Sequence, residues 1–147
     1  DFKFRKVRDI QDVFVAGKKF EYLAERQLSY KDLETLPVMC LEGNTSTRAY
    51  VEGFLRENGV HLQPEFELAT SDMLIRFAIR GFGIAGVAED FVLEAMEKGE
   101  IFRLHFDREI PKRHFCIVTD EKVPMTAAAR RFLDLLEDKC TSDKHKT

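Results

Sequence analysis

Thr70-Ser71-Asp72-Met73-Leu74-Ile75-Arg76-Phe77-Ala78-Ile79-Arg80-Gly81-Phe82-Gly83-Ile84-Ala85-Gly86-Val87 is the stretch on which the fold turns. Ser71 is placed as a helix N-cap, with Asp72 in the first turn, where a carboxylate favours the positive end of the helix dipole. Leu74, Ile75, Phe77, Ala78 and Ile79 leave little polar surface, so the spacing predicts a largely buried helix that stops at Gly81. Ile84-Ala85-Gly86-Val87 is too short for a second helix and suits a strand covered on both faces, as in parallel sheets.

Gly81-Phe82-Gly83-Ile84-Ala85-Gly86 also matches the G-x-G-x-x-G pattern of dinucleotide-binding loops. That chemistry needs a strand, then the glycine turn, then a helix whose free N–H groups meet the pyrophosphate. Here the helix precedes the turn and the strand follows it. The glycines therefore read as a tight helix-to-strand reversal with close backbone packing.

Outward from this unit, the same rhythm continues. Asp12 to Ala16 and Val38 to Leu41 are compact apolar runs that read as buried strands. Ser29-Tyr30-Lys31-Asp32 fits a capping box opening a short helix that Pro37 closes. After Val38-Met39-Cys40-Leu41 the chain runs into Glu42-Gly43-Asn44-Thr45-Ser46-Thr47-Arg48, and Tyr50, Val51, Phe54 and Leu55 then give a helical apolar face ending at Gly59. A strand feeding a helix N-terminus presents N–H groups, hydroxyls and the positive dipole end at the carboxyl edge of a sheet, where open α/β sheets bind ligands. Capping explains any one of these hydroxyls; three hydroxyls and an amide together, with Arg48 beside them, make a candidate small-anion site. Glu42 opposes a strongly anionic ligand unless it points away or meets a donor.

Pro64 to Ala69 and Ile101 to Phe106 alternate as half-wet strands. Phe91, Val92, Ala95 and Met96 line a helix stopped by Gly99. Phe2 to Val7 alternates apolar and basic residues as a half-exposed strand, and His114 to Thr119 reads as a buried one. Thr126 caps a last helix in which Ala129, Phe132, Leu133 and Leu136 share a face, and Cys140 to Thr147 reads as a mobile tail. The class is α/β with a mainly parallel sheet.

Composition narrows the function. The 147 residues carry a formal net charge of −3, so the overall basic field of a phosphate-backbone binder is lacking. Cys40, Cys116 and Cys140 are an odd, widely spaced set, which fits a reducing compartment without a disulfide framework. No run approaches a membrane span, and the start at Asp1 suggests a processed or engineered piece of something longer. His61, His105, His114 and His145 show no metal-ligand spacing, and no G-x-S-x-G nucleophile turn is present, so the residues point to neither a metal, a cofactor nor catalysis.

In order, Leu33-x-x-Leu36-Pro37 before an apolar strand, Asn44-Thr45-Ser46-Thr47-Arg48 opening a helix that ends at Gly59, Ser71 opening one that ends in Gly81-Phe82-Gly83-Ile84-Ala85, Gly99-Glu100-Ile101, and Thr126-Ala127-Ala128-Ala129-Arg130-Arg131-Phe132-Leu133 form a set. This set resembles the C-terminal two-thirds of the effector-binding domain of LysR-type transcriptional regulators, over roughly Phe4 to Glu137. The resemblance implies a periplasmic-binding-protein-like effector domain, residues 1–139. Within it, 11–100 would be a complete lobe with a mainly parallel or mixed sheet flanked by helices, 1–10 and 101–139 part of the other lobe, and 140–147 a flexible tail. Ala88 stands where many members have a proline. The resemblance further implies a cytoplasmic, non-catalytic domain that senses a small organic or inorganic anion, forms homo-oligomers, needs no cofactor, and reaches DNA only through an N-terminal domain without counterpart here. Carried over by position, effector-binding residues are Leu41, Glu42, Gly43, Asn44, Thr45, Ser46 and Leu104. Family dimers would use the helix after Thr45 and the strand near Phe66. An incomplete lobe would leave apolar surface bare, which predicts association with another copy or a companion chain, or local disorder near both ends. A solute-binding or transport component of the same two-lobed architecture is the alternative.

Overall fold

The computed structural model describes the backbone of residues 1–142 and the side chains of residues 1–137. The described chain divides into two compact units, Gln11–Lys112 and a smaller one made of Asp1–Ile10 with the segment from Arg113 onward.

The larger unit is built on a mixed five-stranded sheet. Its strands are β2 (Asp12–Gly17), β4 (Val38–Leu41), β5 (Phe66–Leu68), β6 (Ile84–Ala88) and β7 (Ile101–Arg103), in the spatial order β5-β4-β6-β2-β7. β4 runs parallel to β5 and β6, whereas β2 is antiparallel to β6 and β7. The short strands β3 (Gln27–Leu28) and β8 (His105–Phe106) pair with each other, in parallel, outside this sheet. Three helices complete the unit, α1 (Ser46–Glu57), α2 (Ser71–Ile79) and α3 (Leu93–Glu97), together with single 3-10 turns.

Two apolar clusters form because β2, β4 and β6 carry apolar side chains on both faces, as the uninterrupted runs foretell. One holds Phe14, Val38, Cys40 and Ile84 with Val51 and Leu55 of α1. The other holds Val15, Met39, Ala85 and Val87 with Leu74 and Ala78 of α2, Val92 just before α3 and Ala95 within it. The glycines of the dinucleotide-like pattern are spent on this packing. Gly81 turns the chain out of α2 at φ +77°, and a Cβ on Gly83 would lie 2.6 Å from the Pro37 carbonyl oxygen.

Several sequence expectations need correction. α2 is capped by Thr70, whose hydroxyl accepts from the Met73 N–H, one residue before Ser71. The helix is one-sided rather than largely buried: Leu74 and Ala78 are enclosed while Met73 is 41% exposed, because only one face meets the sheet. The helix after Val87 starts with a 3-10 turn that leaves Phe91 exposed. Ile101 to Phe106 is two strands rather than one, since the Leu104 N–H bonds Phe14 and the chain then diverges to pair with β3. Residues 101–112 fall in the larger unit, where β7 supplies an edge of its sheet.

The smaller unit holds β1 (Phe2–Ile10) antiparallel to β9 (Arg113–Asp120), with a register shift between Lys6 and Arg8, and α4 (Ala127–Ser142). Thr126 caps α4 by accepting from the Ala129 N–H, and the Arg5 guanidinium pairs with the Glu137 carboxylate. β9 is not a buried strand: Phe115 and Val118 are exposed, as are Phe2 and Phe4 on β1 and Phe132 on α4. A two-stranded sheet has too few layers to enclose such side chains. Residues 140–142, placed in the mobile tail, are the last turn of α4; residues 143–147 lie outside the described residues.

Candidate functional site: the carboxyl edge of the sheet

β4 and β6 are adjacent and parallel, and the helices that follow them leave on opposite faces: α1 packs in the first cluster and α3 in the second. That arrangement is a topological switch point, beyond whose strand carboxyl ends open α/β sheets bind ligands. Glu42–Thr45 follows Leu41 at the carboxyl end of β4, and Glu89 follows Ala88 at the carboxyl end of β6.

The turn from β4 into α1 is held by its own hydrogen bonds. Glu42 N–H donates to the Leu68 carbonyl at 3.0 Å, joining the turn to β5. The Glu42 carbonyl accepts from the Thr45 N–H at 3.1 Å and from the Thr45 hydroxyl at 3.0 Å. That hydroxyl accepts in turn from the Arg48 N–H at 3.2 Å, the expected N-cap bond. Thr45 is thus committed to capping, whereas Glu42, Gly43, Asn44 and Ser46 are exposed along the edge.

Arg48 does not stand beside the hydroxyls as a free anion partner. It is buried, and its guanidinium donates to the Leu41 carbonyl at 3.0 Å, to Glu67 at 3.2 Å and to Glu52 at 3.3 Å. Burial opposes its charge, but the Cys40 thiol and the Glu52 and Glu67 carboxylates outweigh that cost and raise its pKa. Arg48 therefore ties α1, the end of β4 and β5 together. Leu41 and Leu104 are packed into opposite clusters and offer the edge only backbone.

Sequence reasoning missed a second feature of this edge. Where the chain turns away after β7, a cavity of about 200 Å³ opens, lined by Asp12 and Phe14 of β2, Tyr30, and residues between Arg103 and Ile110. Tyr30 stacks on Phe106 with centroids 4.3 Å apart and donates its hydroxyl to the Arg108 carbonyl at 2.7 Å. Burial first, then the Asp107 charge, pushes the Tyr30 phenol up to about 12. Arg103 spans Glu89 at 2.7 Å and Glu109 at 2.8 Å. The clean alternation of Ile101 to Phe106 hid the break at Leu104; the departure of the polar Asp107-Arg108-Glu109 from that alternation was the available signal. Among the described residues no group of three or more His, Cys, Asp and Glu is placed to hold a metal ion.

The family pattern described as the LysR substrate binding domain matches residues 1–141. The chain belongs to that family. This LysR substrate-binding domain has a mixed sheet flanked by helices, the periplasmic-binding-protein-like fold of the family's regulatory domains. It is similar to the regulatory domain of CcmR from Synechocystis PCC6803, solved in complex with 2-PG, at TM-score 0.81 and 18% identity over 92% of this chain and 65% of that one. The effector-binding domain of QuiR in complex with shikimate aligns at TM-score 0.78 and 10% identity, over 97% of this chain and 66% of that one. The apo regulatory domain of HypT from Salmonella typhimurium gives TM-score 0.72 and 16% identity, over 96% and 66%. The LysR substrate-binding domain described here thus spans 65–66% of the length of these neighbours. No match was found among curated protein sequences.

Proposed function

We propose that this LysR substrate-binding domain senses a small organic or inorganic anion and relays its occupancy to transcription through a DNA-binding segment of a longer protein. The family match over residues 1–141 carries this reading. The neighbouring CcmR and QuiR domains were solved with 2-PG and shikimate, which supports a small acid as the class of effector. The contact surface is Glu42, Gly43, Asn44 and Ser46 at the switch point, held in place by the Thr45 cap, with the α1 dipole favouring negative charge there. Leu41 and Leu104 serve this surface through backbone and packing. Binding shifts a conformational equilibrium, which is how a domain that performs no chemistry controls a distant one.

The same reading places the protein in the cytoplasm and makes it an oligomer. No helix among the described residues is long and apolar enough to cross a membrane. The exposed Phe2, Phe4, Phe115 and Val118 of the smaller unit supply apolar surface for another copy or a companion chain. The solute-binding alternative lacks support, since the matched family is that of the regulators.

Thermal-shift titration with shikimate, phosphate, sulfate and bromide tests the proposal, read beside the double variant Asn44→Ala with Ser46→Ala. At least one anion should raise the melting temperature of the parent chain and fail to raise that of the variant. Equal shifts in both, or none from any anion, would remove the Glu42–Ser46 edge from the reading.

A further inference from the structure

From Met73 to Ala88 the sequence carries two arginines and no carboxylate, and from Glu89 to Glu97 it carries four carboxylates and no cation. The fold sets these stretches at opposite ends of β6. α2 and residues 80–83 lead into its first residue, while the 3-10 turn and α3 follow its last. The strand's five residues separate its ends by about 13 Å, so Phe82 and Phe91 cannot meet within one copy. Each end bares apolar side chains. At the amino end Phe77 and Phe82 lie 5.1 Å apart between ring centres, and Phe66 of β5 meets both edge-on at 6.0 and 6.2 Å, with Phe66 and Phe82 exposed. Arg76 and Arg80 flank a groove of about 410 Å³ beside Phe77 and Ile79. Arg80 has no side-chain partner among the described residues, and Arg76 meets Asp72 at 3.3 Å in a pair open to solvent, which contributes little. At the carboxyl end Phe91 and Leu93 are exposed. Glu89 is taken by Arg103, whereas Asp90, Glu94 and Glu97 are exposed, Glu94 in a surface pair with Lys98.

We propose that these two ends bind each other between copies of this chain, head to tail. Phe91 and Leu93 of one copy seat on the Phe66, Phe77 and Phe82 rings of the next, and Arg76 and Arg80 face the carboxylates around Phe91. The signs of charge decide the pairing. The aromatic end against its own kind would oppose arginines to arginines, and the acidic end against its own kind would oppose carboxylates to carboxylates. Only the unlike pairing joins opposite charges around apolar side chains from both copies. Aromatic rings and arginine are also the residues enriched at protein interfaces. Such a contact leaves one end of each kind free, so it closes into a ring or grows into a filament. It uses neither the apolar surface of the smaller unit nor any of Glu42, Gly43, Asn44 and Ser46.

Sedimentation velocity tests this on the full chain carrying Phe4→Lys, so that the smaller unit's surface does not contribute. Three forms are compared: no further change, Arg76→Glu with Arg80→Glu, and Phe91→Ser with Leu93→Ser. All four side chains are exposed, and thermal melting checks that each form is folded. With both ends intact the chain should form species heavier than 17.1 kDa, and their association should weaken at least about fivefold between about 50 and 500 mM salt. Each altered form alone should run as a monomer. An equimolar mixture of the two should yield a two-chain species and nothing larger, because one intact end of each kind remains. A monomer at every concentration with both ends intact, association of either altered form alone, or a mixture that stays monomeric would overturn the proposal. None of these outcomes bears on the anion reading, which is tested at Asn44 and Ser46.

Discussion

At the scale of single residues, burial sets what the titratable groups can do. Cys40 is 6% exposed, and desolvation pushes its thiol up to about 11, so little nucleophilic thiolate forms near neutrality. Cys116 is exposed. Brief treatment with iodoacetamide followed by peptide mass mapping should therefore label Cys116 and spare Cys40 until denaturant is added. The same burial makes stability fall in alkali. The unfolded chain releases the Cys40 and Tyr30 protons near their ordinary values of 9.0 and 10.0, whereas the folded chain keeps them to about 11 and about 12. Proton release thus draws the equilibrium toward the unfolded state from pH 9 upward, and the loss is complete above the folded values. Chemical denaturation across this range should show that decline, and Tyr30→Phe should shallow it between pH 10 and 12. That variant also forfeits the bond to the Arg108 carbonyl, about 1 kcal/mol wherever the Tyr30 hydroxyl keeps its proton. Gly83 is bound by geometry instead: Gly83→Ala would drive its methyl into the Pro37 carbonyl and should lower the melting temperature without altering ligand selectivity.

At the scale of elements, the sheet keeps its two apolar clusters apart. Leu55 of α1 and Leu74 of α2 are both fully enclosed, one on each face. Either Leu→Ala change should cost about 2–5 kcal/mol in urea denaturation. The double variant should lose the sum within about 0.5 kcal/mol, since the leucines share no cluster. A large shortfall would mean that the faces communicate through the sheet. These elements were readable in the sequence because their signals are local: apolar runs at β4 and β6, the Thr45 cap, the Gly81 stop. The break at Leu104 was not, because what ends β7 is the departure of His105 and Phe106 to pair with Gln27 and Leu28, some eighty positions away along the chain, and alternation continues through it. The exposure of β9 was equally hidden, since an apolar run reports what could be covered and not whether a second layer is present. At the candidate site the hydroxyl cluster was legible, while the diversion of Arg48 to Leu41, Glu52 and Glu67 depended on β5 lying alongside β4.

For the molecule as a whole, charge and exposed surface decide its company. A net charge of −3 predicts that the chain by itself leaves duplex DNA unshifted in electrophoresis at moderate salt. The exposed Phe2 and Phe4 predict association. Sedimentation velocity should reveal species heavier than the 17.1 kDa chain at high concentration, and Phe4→Lys should weaken them. A monomer at every concentration, with slow amide exchange in β1 and β9, would contradict that expectation.

The position of β2 bears on how the larger unit is made. It is the first strand of that unit to leave the ribosome, yet its partners are β6 and β7: Val15 pairs with Ala85 on one side and with Arg103 on the other. All six of its residues are buried in the finished fold. During synthesis this segment must wait, unpaired and apolar, while β4, β5 and the helices emerge behind it. Such delayed, non-local pairing slows folding and exposes a sticky strand meanwhile. Asp12–Gly17 is thus the natural place for a chaperone to hold the nascent chain, and polypeptides stalled before Ile101 should remain open to protease along it.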